Sequence, residues 1–305
     1  MMSKLPSSRP PGAVRGYSMI ELVVALTIGV FLVMGLFTVL QSTRQGANEA
    51  TALAQLEDNE RVAMTILTDM IQNAGYFPDP LAESVTTAFL ADGGLYTYSN
   101  GSTGGQLFYG TVVTAGSSET MMVRFKTAPG DPVFNCNGGS NPSSGASNIM
   151  YVNYFQLTTS AQGVSQLGCA VGSDSTTAAA ATPMGLVNNV AGMTFAYAMN
   201  TQGTLATTGA TTLQGVVGQA NSRCPGDTYK PTGSMVMTTS YDWTNVCAVK
   251  VTLKFNNPLY QLPGQPKPDP NQPQYLTFER VVAVRSKSGI DIVTVTPPGG
   301  SSSGS

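Results

Sequence analysis

The chain has 305 residues, of which only 10% are charged, with a net charge of −2 and no histidine. That charge density is well below the roughly 25% of ordinary soluble domains, and the acidic balance excludes the overall basic footprint of a nucleic-acid-binding protein. Without imidazole, Ser-His-Asp and Cys-His catalysis and histidine-ligated metal sites are excluded as well.

The N-terminal residues carry Lys4, Arg9 and Arg15 and no acidic side chain before Glu21. From Leu22 to Leu40 no residue is charged, and as a helix this run rises about 28 Å, close to the hydrocarbon thickness of a bilayer. The positive-inside rule places the start of the chain in the cytoplasm and everything after Leu40 outside. A secretory signal peptide would end in a small-residue cleavage site; here the run continues into Gln41-Ser42-Thr43-Arg44. A plain signal anchor accounts for the span but gives no reason for Glu21.

The stretch "GYSMIELVVAL" (residues 16–26) closely resembles the start of a type IV prepilin. The resemblance implies a leader of residues 1–16 ending in Gly16, removed by a prepilin peptidase between Gly16 and Tyr17. It also implies N-methylation of Tyr17 and a subunit-docking role for Glu21, the fifth residue of the processed chain. Tyr17 stands where most members have Phe. A lone carboxylate in lipid is costly, and pairing Glu21 with the α-amino group of a neighbouring subunit lowers that cost.

No proline occurs between Pro11 and Pro78, so helix is expected from Tyr17 to about Ala74, some 87 Å at 1.5 Å per residue. Residues 17–40 form the hydrophobic anchor and fibre-core helix, and residues 41–76 an amphipathic half. In that half Leu53, Leu56, Ala63, Leu67, Met70 and Ala74 make one stripe, broken by Glu60 and widened by Ile66 and Ile71. The stripe is too short for a dimeric coiled-coil stalk; it suits a helix laid on a globular head. Gly75 is placed to cap the helix, with Pro78 and Pro80 preventing a restart. The run "NERVAMTILTDMIQNAGYFPDP" (59–80) is similar to a segment of PilW-type minor pilins, and in a weaker form to J-type pseudopilins of type II secretion.

Residues 77–295 read as a β-rich head. Alternating strands are expected at Leu107–Thr114, Thr120–Lys126, Ile149–Leu157, Met193–Met199, Ala248–Phe255 and Leu276–Arg285, joined by Gly/Ser/Thr/Asn loops. The small-residue stretches Asn135–Asn148 and Asp174–Thr182 read as mobile, and residues 296–305 as a disordered tail. The expected fold class is α+β and pilin-like: a long N-terminal helix packed on one antiparallel sheet with long loops.

Four cysteines, Cys136, Cys169, Cys224 and Cys247, lie beyond the apolar span without a CxxC pair. An extracytoplasmic location makes them two disulfides rather than a zinc site. Three pairings exist, and short loop closure favours Cys136–Cys169 with Cys224–Cys247; four buried free thiols are the alternative. "PKPDPNQP" (266–273) reads as a stiff loop rather than a docking segment. Asp131 and Asp227 sit in loops without the D-x-D-x-D-G pattern of a calcium site, and Trp243 with Tyr241 reads as core rather than adhesive surface. No catalytic residue, metal site or cofactor is expected.

The function that the resemblance implies is that of a minor pilin priming or supporting type IV pilus assembly at or near the tip. It would serve twitching motility, adhesion and, in some hosts, DNA uptake, without direct contact to nucleic acid. The implied partners are the prepilin peptidase, other minor pilins and the major pilin, the inner-membrane assembly platform and a PilY-type tip protein. The implied location is the bacterial inner membrane, single-pass with the head periplasmic, and then the pilus fibre at the cell surface. The alternative is a J-type minor pseudopilin. A membrane-anchored periplasmic enzyme is a third class, opposed by the missing histidines and the lack of a Ser-Lys motif.

Overall fold

The computed structural model describes residues 16, 18–96, 105–114, 117–199, 229–235, 243, 246–260 and 270–285. The chain divides into two compact units, Met1–Leu53 and Ala54–Ser305. Helix α1 (Met19–Asn73) crosses that boundary.

The second unit holds a nine-stranded sheet: β1 (Phe108–Thr114), β2 (Ser118–Thr127), β3 (Ile149–Thr159), β4 (Ser165–Gly172), β5 (Met184–Asn188), β6 (Val190–Met199), β7 (Tyr229–Pro231), β8 (Val246–Asn256) and β9 (Tyr275–Ala283). The order is β5-β4-β3-β2-β6-β8-β9, with β1 on β2 and β7 on β6. The expected all-antiparallel sheet is corrected to a mixed one, because β2 and β6 pair in parallel at Ser118↔Met193. Side-chain alternation marks a strand but carries no information about its direction. β5 leads into β6 through Asn189, whose φ of 70° lies in the left-handed region that Asn tolerates.

Most of the expected stripe is buried, namely Leu56, Ala63, Leu67 and Met70 on α1 and Ala74 just past its end, together with Met64 and Ile71, whereas Leu53 is only half-buried. They share a core with Met121, Val123 and Phe125 of β2, Phe155 of β3, Phe195 and Tyr197 of β6, and Val249, Val251, Leu253 and Phe255 of β8. Each fully buried Leu, Ile or Met contributes about 1.5–3 kcal/mol of transfer free energy. The helix stops at Gly75, whose φ of 74° costs a glycine nothing. Its N–H then donates to Arg124 O at 3.0 Å, and Lys126 N–H donates to Tyr76 O at 2.8 Å. The Gln72–Tyr76 run is therefore a helix stop that continues as a strand-like rung on β2. The Tyr76 hydroxyl donates to Asp131 Oδ2; burial first, and then the Asp131 charge, push its phenol above the ordinary value.

The opposite face of β2 and β3 carries a smaller core of Tyr96, Met122, Val152 and Ala178. Helix α2 is the short Val85–Ala88 turn, and Ala178 belongs to α3 (Ser175–Ala180), a helix in the stretch expected to be mobile. Asp174 caps it, accepting from Thr177 N at 2.8 Å, while Asp174 N donates to Thr177 Oγ1 at 3.1 Å. A Cβ on Gly172 would collide with the Ala178 backbone, so the glycine permits the close approach. The Asn135–Asn148 loop is held too. Asn135 Oδ1 accepts from the N–H of Asn137 and Gly139, and Asn141 Nδ2 donates to the carbonyls of Thr127 and Ser147. Small polar side chains that looked like loop filler are turn-building acceptors and donors.

Two buried charges fasten the sheet. Arg124 is 2% exposed and donates to Gln106 O at 2.6 Å, Leu90 O at 2.7 Å and Phe89 O at 3.0 Å, while its guanidinium lies 4.2 Å from the Tyr96 ring centre. Glu119 sits where β2 and β6 diverge. Its Oε2 accepts from Phe195 N at 2.6 Å and Thr232 Oγ1 at 2.7 Å, supplying an acceptor where the parallel ladder runs out.

Arg124→Ala removes one donor from each of three carbonyls, of which Phe89 O keeps the Gly105 N–H, and a loss on the order of 2–3 kcal/mol in chemical denaturation is expected. Lys126→Ala breaks only the half-exposed pair with Glu83 at 2.8 Å and should cost less than about 1 kcal/mol. Cys136 and Cys169, separated by 33 residues, form a disulfide. Replacing both by Ser should lower stability by about 3–4 kcal/mol in the same assay.

Candidate functional site

Helix α1 begins with a local signal that is legible in Ser18-Met19-Ile20-Glu21. Ser18 O accepts from Leu22 N at 3.2 Å, closing the first turn. Glu21 Oε2 then accepts from Ser18 N at 3.3 Å. This is the reach-back half of a capping box, in which the third helical residue satisfies the backbone donor of the cap. A carboxylate here also faces the positive end of the helix dipole. Glu21 is thus an exposed first-turn residue, not a charge lodged mid-span. The Ser18-x-x-Glu21 spacing is the sequence signal of this cap, and it overlaps the Gly16-to-Glu21 spacing.

Gly16 is exposed and lies just ahead of the helix, whereas Tyr17 lies outside the described residues. Gly16, Ser18 and Glu21 fall within six consecutive residues. Of the cysteines, Cys136 and Cys169 are joined as loop closure favoured, and Cys247 is oxidised; Cys224 lies outside the described residues.

Past Glu21, the helix presents apolar side chains all round. Leu22, Leu26, Phe31, Leu32, Leu36, Phe37 and Leu40 are all exposed. α1 is the helix long and apolar enough to cross a membrane among the described residues; a signal sequence meets the same criterion. An all-round apolar helix is stable only in lipid or among other apolar helices. Its few hydroxyls are adapted to that setting. Thr27 Oγ1 donates to Val24 O at 2.8 Å and Thr38 Oγ1 to Met34 O at 2.9 Å, so neither presents an unpaired donor to an apolar phase.

The head carries a cleft of about 480 Å³, walled by Glu83, Asp92, Arg124, Lys126 and Asp174. Its charges are engaged in structure. Lys126 pairs with both oxygens of Glu83, and Asp92 accepts from Gly94 N and Ser175 N. Burial opposes ionisation of Asp92, but the Ser175 and Gly94 hydrogen bonds and the Arg124 charge outweigh it and lower its pKa. Among the described residues no cluster of three or more Cys, Asp or Glu is placed to hold a metal ion. Asp131 is bound by Tyr76 and by Ala128 N. Trp243 is 5% exposed and packs edge-on against Tyr197, which makes it core; Tyr241 and Asp227 lie outside the described residues. No family model, curated protein or solved structure matches this chain.

In detergent micelles, Glu21→Ala should fray the first turn and speed amide exchange at Ser18–Leu22 several-fold. Glu21→Gln keeps an acceptor oxygen and should leave that exchange close to the parent, as followed by NMR.

Proposed function

We propose that this chain is a pilin-like subunit of a type IV filament, of the minor class related to PilW-type proteins, acting in filament assembly rather than catalysis. The observation that carries this reading is the join of three features in one helix. They are a Gly16–Glu21 processing and docking spacing, an all-round apolar run to Leu40, and a second half whose stripe is buried against a sheet. A subunit that leaves the membrane for a fibre needs such a helix, with one half soluble in lipid or in a helical bundle and the other bound to its own head.

On this reading a prepilin peptidase cuts between Gly16 and Tyr17, the new Tyr17 amine is methylated, and the mature subunit passes from the inner membrane into a fibre. Glu21 then has two successive duties. In the free subunit it caps Ser18; on docking it pairs with the terminal amine of a neighbour, exchanging a long 3.3 Å contact to a neutral N–H for an ion pair in which both partners are charged. Other pilins, the assembly platform and a PilY-type tip protein would be its partners.

Mass spectrometry of the mature chain should find N-methyl-Tyr17 as its first residue; an intact Met1 in all molecules overturns the reading. Glu21→Gln keeps the cap and removes the charge, so filament incorporation should fall at least tenfold while membrane insertion is unchanged. Deletion should abolish surface fibres and spare protein secretion. Loss of secretion with fibres intact would instead assign the chain to a secretion pseudopilus.

A further inference from the structure

The segment after Leu90 forms a strap over the small core on β2 and β3, and it is fastened to a helix far along the chain. Asp92 Oδ2 accepts from Ser175 N–H at 2.7 Å, and Asp92 Oδ1 accepts from Gly94 N–H at 2.9 Å. Leu95 N–H donates to Ser175 Oγ at 2.8 Å. One carboxylate therefore closes the strap on itself and joins it to the first turn of α3. The fit is close: a Cβ on Gly94 would meet the hydroxyls of Ser175 and Thr176 at 2.5 and 2.6 Å. Beneath the join, Tyr96 of the strap and Ala178 of α3 are fully buried in the small core they share with Met122 and Val152. The core on the other face draws instead on α1, β2, β3, β6 and β8. A region with few buried apolar contacts opens before the rest of a domain does, so the polar join matters more here than it would over the larger core.

We propose that the Asp92 carboxylate is an acid-released latch. While ionised it holds the 92–96 strap and α3 together over the small core; once protonated it lets both lift from the sheet with the main core intact.

The groups around Asp92 support this assignment. Arg124 of β2, Asp174 ahead of α3 and the Lys126–Glu83 pair share one cleft with it, and the phenols of Tyr96, Tyr109 and Tyr154 line the small core. Burial raises the Tyr109 phenol, away from the acid range. Asp174 is lowered, chiefly by the Thr177 N–H, but that bond lies within its own helix turn, so losing it loosens α3 and cuts no tie to the strap. Glu83 is bound to Lys126 and likewise makes no join between strap and helix. Protonation turns one acceptor oxygen of Asp92 into a donor, so one of its two N–H partners loses its acceptor. Arg124 keeps its hold on the Phe89 and Leu90 carbonyls, and the release begins beyond Leu90.

The direction of the pH effect follows from linkage. The Ser175 and Gly94 hydrogen bonds and the Arg124 charge outweigh burial and lower the Asp92 pKa. A carboxylate lowered on folding contributes in full above the ordinary Asp value of about 4, and that contribution is lost as pH falls through the lowered value. The latch is closed at neutral and mildly acid pH and opens below about pH 4. The inference concerns the head alone and does not rest on the filament reading.

The test is hydrogen–deuterium exchange on the full chain in micelles, read as protection relative to a free peptide, so that the pH dependence of exchange itself cancels. In the parent, the amides of Gly94, Leu95 and Ser175–Ala178 should lose about tenfold or more of their protection from about pH 5 to about pH 3, with β8 unchanged. Asp92→Asn should lower the same protection to a similar extent at neutral pH and remove the acid step. Asp174→Asn keeps a capping acceptor, and it and Glu83→Gln should both retain the parent's acid step. Loss of β8 protection at the same step overturns the proposal, as does an Asp92→Asn chain that protects the strap as the parent does. Disappearance of the acid step in Asp174→Asn or Glu83→Gln also overturns it. The parent's pH series needs no variant, so it decides the matter even where Asp92→Asn does not fold.

Discussion

The rung between the end of α1 and β2 is the contact on which the head depends. Helix and sheet usually meet only through side chains, which tolerate sliding. Here Gly75 and Tyr76 add two backbone hydrogen bonds to β2 directly after the last buried turn. The register between the stripe on α1 and the side chains of β2 is thereby fixed to one residue. Ile71 and Ala74, fully buried beside it, can only pack as they do because the helix ends where it does. The left-handed residue that ends it must be the one whose N–H reaches Arg124 O, so a glycine and a strand position are coupled.

β2 is correspondingly overcommitted. One edge carries the single bridge to β6 at Ser118 and then β3; the other carries β1 and then the helix end. A strand serving so many partners must diverge from some of them, and each divergence leaves backbone groups to be satisfied. Glu119 and Arg124 answer that need, one as acceptor and one as donor. Both are buried, and both spend their hydrogen-bonding capacity on backbone and hydroxyl groups, so their charges stabilise the join between strands rather than offering chemistry to a substrate.

Much of this was legible in the sequence where pattern and physics coincide. The stripe from Leu56 to Ala74, the stop at Gly75, strands β2, β3, β6, β8 and β9, and the Cys136–Cys169 pairing all follow from periodicity, glycine conformation or loop closure. Strand β4 was missed because Gly168 and Gly172 break its alternation; their role is to let Thr158 and α3 approach closely. Helix α3 was missed because an alanine-rich run of small residues looks featureless until its Asp174–Thr177 cap is noticed. The parallel bridge was beyond reach, since pairing direction is decided by the path of the whole chain. At the N-terminus the spacing of Gly16 and Glu21 was read, while the capping box two residues inside it, equally plain, was not.

The Arg124 fork has a bearing on how the head can diversify. Its three acceptors, with the Gly105 N–H to Phe89 O bond at 3.0 Å, clamp the chain at residues 89–90 and again at 105–106. The chain that leaves at Leu90, and whose Tyr96 is buried with Met122 and Val152, is thus brought back beside its point of departure. Lengthening such an excursion costs only loop entropy, about 0.6 kcal/mol per doubling. The fork therefore works as a fixed pair of anchor points, so that a change of chain length between them is not passed on to the sheet.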